Sequence, residues 1–545
     1  MNSNNDSEMS DNFSDFPAEQ VATPVLESPD GITEEDSTYI SITENEDNSD
    51  DSNESNTDIW LMGNNSINPI LGIYRLLHRT LEIQEESDNE SSSNSYSNEN
   101  YNNNEVDADG MNKGEILMKS GEFGIIEPSP DKGLNAEKLF SKNACHQLML
   151  REILPGRFSK ISFGKNFRPN TNGEVAVNYG VRAYSGQYSL DGSFFYTCCQ
   201  DFRVHIYDTT NPNVFKETKT IVGDGRWTIT DANLSSDNQW LAYTSITPIV
   251  YLAKTDPNVD FQIPLDFSKR LSYNYGLWSI RFSNDSRELV GGASDSRIYV
   301  YDIETRNVLL QLDGHDDDVN AVCFADDSSH ILFSGSDDTY IKVWDRRSMR
   351  GGKESGVLVG HTEGITYVTA KGEGRYCLSN SKDQTMKLWD IRMMVSGERF
   401  ENMQLEDYRQ GWDYRLNNYP GDRHFKHPQD VSVMTYRGHS VLKTLIRCHF
   451  SPISTTGQRY LYTGSEDGRV RIFSLDGRII QSLDVIEAIR NERNRNTSRP
   501  IYLHRPVTRD VSWHPHLPLM TSTSWSGPHR DSGVIVCHSY KEPDH

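Results

Sequence analysis

Basic residues are almost missing from the first fifth of this 545-residue chain, paired cysteines are missing throughout, and no long apolar run occurs. Residues 1–110 hold 26 Asp and Glu against two basic residues, Arg75 and Arg79, for a net charge of −24, whereas the other 435 residues sum to −1. The near-neutral part offers no clustered basic face for a phosphate backbone, so no direct nucleic-acid partner is expected. The seven cysteines (Cys145, Cys198, Cys199, Cys323, Cys377, Cys448 and Cys537) are odd in number and form no Cys-x-x-Cys pair. Neither a disulfide framework nor a metal site is therefore expected, and the thiols read as reduced and buried in an intracellular protein. No apolar run reaches the roughly 18 residues of a membrane span. The acidic, Asn/Ser-rich start also lacks the basic-then-apolar layout of a secretory signal. Phosphate-loop, His-Glu-x-x-His and Gly-x-Ser-x-Gly motifs are all absent. His424 and His427 lie three apart with no third ligand in view. The chain is expected to be no enzyme and to need no cofactor.

Composition divides the chain. Residues 1–133 read as a disordered acidic tail, because Asn, Ser, Asp and Glu bury too little apolar surface to offset chain ordering. Within it, Ile70, Leu71, Ile73, Tyr74, Leu77 and Leu81 carry the spacing of a short amphipathic helix over 68–84. Such a helix suits either a partner's groove or the chain's own domain. Residues 134–178 read as a helical lead-in, with Leu139, Phe140, Leu148 and Ile153 before Pro155-Gly156. From 179 to 545, short apolar strands alternate with turn clusters.

That last region repeats. Trp344-Asp345 and Trp389-Asp390 lie 45 residues apart, and Tyr207-Asp208, Tyr301-Asp302 and Phe473-Ser474 are worn copies. Seven residues before the end of each phrase stands another aspartate: Asp201, Asp295, Asp338, Asp383 and Asp467. Gly314-His315, Gly360-His361 and Gly438-His439 precede three of the phrases. A period near 40–45 with Gly-His and Trp-Asp marks a WD-repeat blade of four strands. One blade is hidden around Trp227 to Lys254, and another runs from Asp510 to Tyr540. The expected fold is all-β, a seven-bladed WD-repeat propeller, with an insertion at about 393–436. That insertion suits an interaction surface or a loop folded over the underside of blade five.

The recurring polar residues suit one buried hydrogen-bonded chain per blade. In blade four it joins His315, Ser334 or Ser336, Asp338 and Trp344, with Ser336 preferred. In blade five it joins His361, Ser379 or Ser381, Asp383 and Trp389, with Ser381 preferred. His439 and Asp467 are assigned the same role in blade six. His, Ser and Asp could suggest a hydrolase, but repetition at fixed offsets is scaffolding rather than a unique active site.

Two arginines stand apart from the scaffold. In Trp344-Asp345-Arg346-Arg347 and Trp389-Asp390-Ile391-Arg392 an arginine follows two residues after the aspartate, placing Arg347 and Arg392 on one rim of adjacent blades. Planar, permanently charged guanidinium groups suit bidentate recognition of a partner. The pattern resembles the Trp-Asp-x-Arg motif of the WD-repeat substrate receptors of cullin-4 ubiquitin ligases. Asp317-Asp318-Val319-Asn320-Ala321-Val322, Met434-Thr435-Tyr436-Arg437-Gly438-His439 and Asp510-Val511-Ser512-Trp513-His514-Pro515 extend the resemblance over about residues 135–545. The acidic tail has no counterpart, and Gly527–Ser532 departs by enlarging a turn. The resemblance implies that Asp345, Arg347, Asp390 and Arg392 bind the adaptor, damage-specific DNA-binding protein 1, and through it cullin-4. Another surface would present a protein substrate, in the nucleus and cytoplasm. The alternative is a generic scaffold for a nuclear multiprotein complex without a ligase.

Overall fold

A strand that alternates apolar and polar residues makes a sheet with faces to bury, and stacking such sheets around an axis buries them. The computed structural model shows seven of these sheets. It describes residues 108–123 and 168–542, apart from 213, 269–274, 350–351, 497–504 and 527–531. The helix expected at 68–84 and most of the lead-in expected over 134–178 lie outside the described residues, as does most of the enlarged turn at 527–532.

Blades one to six follow one another from Ala183 to Asp484, each antiparallel throughout. Blade four comprises Val319–Phe324, Ile331–Ser336, Ile341–Asp345 and Gly356–Leu358, and blade five Ile365–Ala370, Tyr376–Ser381, Met386–Asp390 and Met434–Tyr436. Large side chains fill the spaces between blades. Trp344 packs with Val290, Val300 and Leu332, and Trp389 with Ile341, Leu358 and Cys377. Both indoles are fully buried. Near the axis, Arg447 binds Asp231 at 2.7 Å and Asp510 at 3.4 Å, while Arg281 binds Asp231 at 2.5 Å. Blades two, three, six and seven are thereby joined by paired buried charges.

The turn aspartates have a local cause. Asp338 Oδ1 accepts the Tyr340 N–H at 3.0 Å, and Asp383 Oδ1 accepts the Thr385 N–H at 2.9 Å. The residue after each turn aspartate is left-handed: Phe202, Ser296, Thr339, Gln384 and Gly468 all have positive φ. An aspartate that captures the backbone two residues on makes such a turn affordable even where the left-handed residue is not glycine.

Two expectations are corrected. Blade seven takes its outer strand from Glu174–Tyr179, which pairs antiparallel with Gly533–Ser539. The propeller therefore starts before residue 179, and its two ends close the ring together. Residues 108–119, read as tail and linker, form a helix, Ala108–Lys119. Leu117 and Phe123 bury themselves against Tyr376, Tyr436, Phe473 and Leu475 of blades five and six. Gly114 comes so close to Asp476 and the Leu475 carbonyl that no Cβ would fit. A further helix, Val485–Asn496, follows blade six. Val485, Ala488 and Ile489, at i, i+3 and i+4, cover Val534 and Val536 of blade seven.

Candidate binding face

Two complete polar chains lie inside the propeller. In blade four, Trp344 Nε1 donates to Ser334 Oγ at 2.8 Å, Ser334 meets His315 Nε2 at 2.7 Å, and His315 Nδ1 meets Asp338 at 2.7 Å. In blade five, Trp389, Ser379, His361 and Asp383 repeat the chain at 2.7, 2.7 and 2.8 Å. The carboxylates put the proton on Nδ1, so the serine hydroxyl donates to Nε2 while accepting from the indole. Burial pushes the Asp383 carboxyl up, but the neighbouring His361 and its hydrogen bond more than reverse this and hold it well below the usual range. Asp338 is lowered by the same balance beside His315.

The serines preferred from sequence are corrected. Ser336 donates to the Asp317 carbonyl and accepts the Asp338 N–H, and Ser381 does the same with Glu363 and Asp383. They brace the turn and do not touch the histidine chain. Ser334 and Ser379 are completely buried, so no substrate reaches either hydroxyl.

Blade six is corrected too. His439 Nε2 pairs with Asn380 Oδ1 at 2.9 Å, and Asp467 is taken by Arg471 at 2.5 Å. Phe473 stands where Trp344 stands in blade four and has no N–H to start the chain. Elsewhere the turn aspartates find other partners: Asp295 accepts from Tyr299 at 2.6 Å, and Asp201 lies 3.7 Å from Arg203.

Arg347 and Arg392 occupy the turns leaving the third strands of blades four and five, on one face of the propeller. Each folds back onto its own aspartate. Arg347 donates from Nε and Nη2 to Asp345 at 2.9 Å for both, and its backbone N–H donates to the same carboxylate at 3.0 Å. Arg392 makes the same fork onto Asp390, with Nη2 at 2.7 Å and the backbone N–H at 3.0 Å. The side chains remain 61% and 64% exposed, so the forks are oriented and still open to a partner. Asp390 is further held by Arg375, whose other nitrogen binds Glu122, just after the N-terminal helix. Blade five's arginine is thus tied to residues near 120, and blade four's is not.

Among the described residues the same fork occurs three more times. Arg409 folds onto Asp407, Arg415 onto Asp413 and Arg478 onto Asp476. The fork is therefore local chemistry of Asp-x-Arg, and only its position can mark a binding face. Arg478 has that position. It lies in the turn leaving the third strand of blade six and is 60% exposed, so three consecutive blades show an arginine on one face. Counting two residues past Ser474 misses it, because the Asp-Gly-Arg sits two residues later in the turn. Asp476-Gly477-Arg478 was the signal available.

The insertion belongs to the opposite face, not the underside. Val395–Ser396 adds a fifth strand to blade four at its rim. Phe400 packs on Tyr340 at 5.0 Å, and Asp430 makes a buried ion pair with Lys387 at 2.6 Å. Between them Gln410 N–H binds Glu363, the Tyr414 carbonyl accepts from the Lys443 N–H at 2.8 Å, and Lys382 lies over the Tyr414 ring. Glu363, Lys382 and Lys443 all stand on the side of the inter-blade histidine loops. His424 is exposed, and His427 is buried with its Nδ1 accepting the Gln429 N–H.

Seven antiparallel blades, six of four strands and one of five, with buried Trp–Ser–His–Asp chains in blades four and five, define a WD-repeat propeller. The family described as WD domain, G-beta repeat matches residues 269–302, 306–345, 352–390 and 430–474, which span blades three to six. The chain is 44% identical over 360 residues to the LEC14B protein of Lithospermum erythrorhizon, covering 64% of this chain and 71% of that one. It is 42% identical over 369 residues to the LEC14B homolog of Prunus armeniaca, covering 65% and 73%. It is 32% identical over 382 residues to the DDB1- and CUL4-associated factor 11 homolog of Caenorhabditis elegans, covering 66% and 63%. The chain belongs to this family of WD-repeat proteins, which includes LEC14B and relatives named DDB1- and CUL4-associated factor 11.

Proposed function

We propose that the protein is a non-catalytic substrate receptor of a cullin-4 RING ubiquitin ligase. Its arginine face binds damage-specific DNA-binding protein 1 through Arg347 and Arg392, and another surface presents a protein for ubiquitination. The observation that supports this most is the pair of exposed, pre-oriented forks on adjacent blades, in a chain whose worm relatives are named for association with DDB1 and CUL4. Holding each guanidinium on its own aspartate before binding reduces the ordering cost of association, on the order of 1 kcal/mol per side chain. The receptor contributes effective concentration, by keeping a substrate near the ligase, and performs no bond chemistry of its own.

The test is recovery of the adaptor with Arg347→Ala/Arg392→Ala. Both side chains are mostly exposed, so folding stability should move by under about 0.5 kcal/mol. Adaptor co-purification is expected to fall at least tenfold, and undiminished recovery with an unchanged melt overturns the reading.

A further inference from the structure

We infer that blade one carries a zinc site built from Cys199, Asp201 and His205. The three come from the end of strand Phe194–Cys199, the turn after it and strand Arg203–Asp208. One ligand atom from each lies within 4.8 Å of the other two. In a tetrahedral zinc site, bonds of about 2.3 Å to sulfur and 2.0–2.2 Å to nitrogen and oxygen put ligand atoms roughly 3.3–3.6 Å apart. A contraction of about an ångström closes the group around an ion.

Two independent features point to a ligand there. In blades four and five the turn aspartate is occupied by a histidine from the preceding inter-blade loop. Blade one has no preceding Gly-His, and among the described residues the ion pair of Asp201 is a loose one to Arg203 at 3.7 Å. The second feature is behind His205. Its Nδ1 binds Glu217 Oε1 at 3.0 Å, and Glu217 also accepts from the Thr220 hydroxyl. A carboxylate on one ring nitrogen fixes the proton there and leaves the Nε2 lone pair for a metal, the usual arrangement behind a ligating histidine. Tyr179 packs on the imidazole at 5.1 Å and restricts its rotation.

Thiolate, imidazole and one carboxylate suit zinc and do not suit magnesium or calcium, which take oxygen ligands. Water fills the fourth position. Binding releases the Cys199 thiol proton to solvent, so zinc affinity rises with pH. The ion would staple the second and third strands of the one described blade whose turn aspartate has a cysteine two residues before it. Cys198 is the neighbouring residue on the strand, points to the other face among Tyr196 and Ile206, and takes no part.

The test uses the full chain, stripped with a chelator and titrated with zinc chloride and cobalt chloride. One equivalent of zinc, a zinc-dependent rise in melting temperature and a thiolate-to-cobalt charge-transfer band are expected. Cys199→Ser and His205→Ala should abolish the band, Cys198→Ser should keep it, and Glu217→Gln should weaken binding about 10–100-fold. Absence of the band in the unsubstituted chain, or its persistence in Cys199→Ser, overturns the site. The unsubstituted chain decides the matter even if a variant does not fold.

Discussion

Blades five and six carry nearly the same polar residues and wire them differently. Each has an inter-blade histidine, a hydroxyl on the second strand and a turn aspartate. In blade five the Trp389 indole N–H starts a chain that ends on Asp383. In blade six Phe473 cannot start one, Arg471 captures Asp467, and His439 turns to Asn380 in blade five while its Nδ1 finds no partner. Thr463 then accepts from that same Asn380 at 2.9 Å. The presence of one donor atom decides whether a blade satisfies its polar residues internally or shares them with its neighbour. A WD motif worn at the tryptophan is thus a change of network, not only a lost side chain.

The largest break in this comparison should come from Asp383→Ala. It strands a buried histidine that supports the Ser–Trp chain, and a cost of about 3–5 kcal/mol is expected by denaturant unfolding. A loss under 1 kcal/mol would show that the chain does not hold blade five together. Next comes Ser379→Ala against Ser381→Ala. The first leaves both the indole N–H and His361 Nε2 unpartnered and should cost about 2–3 kcal/mol, whereas the second removes turn bonds worth about 1 kcal/mol. Equal melts for the two would mean that the serine linking histidine to tryptophan is misassigned.

The smallest effect is in blade six and shows mainly as pH dependence. Burial, and then the charge of Arg471, lower His439 to about 3. A histidine depressed from its unfolded value near 6.5 stabilises fully above that pH, and the contribution is lost as pH falls toward 3. Burial likewise lowers His538, to about 4, so it acts in the same window. His439→Gln should cost under about 1 kcal/mol at pH 7.5 and reduce the acid slope between pH 6 and 4 by up to roughly 1.4 kcal/mol per unit. An unchanged slope, measured by denaturant titration across that range, would remove His439 from the account.

The repeat, the blade count and the turn aspartates were legible because they follow from local chemistry at fixed offsets. Which serine completes the chain was not. Ser334 and Ser336 are two apart on one strand and share a face, so only the approach of Trp344 Nε1 separates them. Arg478 was missed because its Asp-x-Arg begins two residues past Ser474, beyond the position that the Trp-Asp-x-Arg ruler inspects. The outer strand of blade seven escaped notice because Val177 pairs with Ile535, far along the chain. The insertion's course was unreadable for a similar reason. Its anchors, Glu363, Lys382 and Lys443, belong to other segments.

By itself the sequence determined the blades, their buried tryptophans and the Asp-x-Arg forks, since each depends on residues within one turn or one hairpin. Tertiary structure alone decided that Arg478 shares the face of Arg347 and Arg392, how the ring closes through Glu174–Tyr179, and where the helix Ala108–Lys119 rests. It also decided that Cys199, Asp201 and His205 meet while the neighbouring Cys198 points away. Short-range hydrogen bonds are specified by spacing. The meeting of distant surfaces is set by how seven sheets pack around one axis.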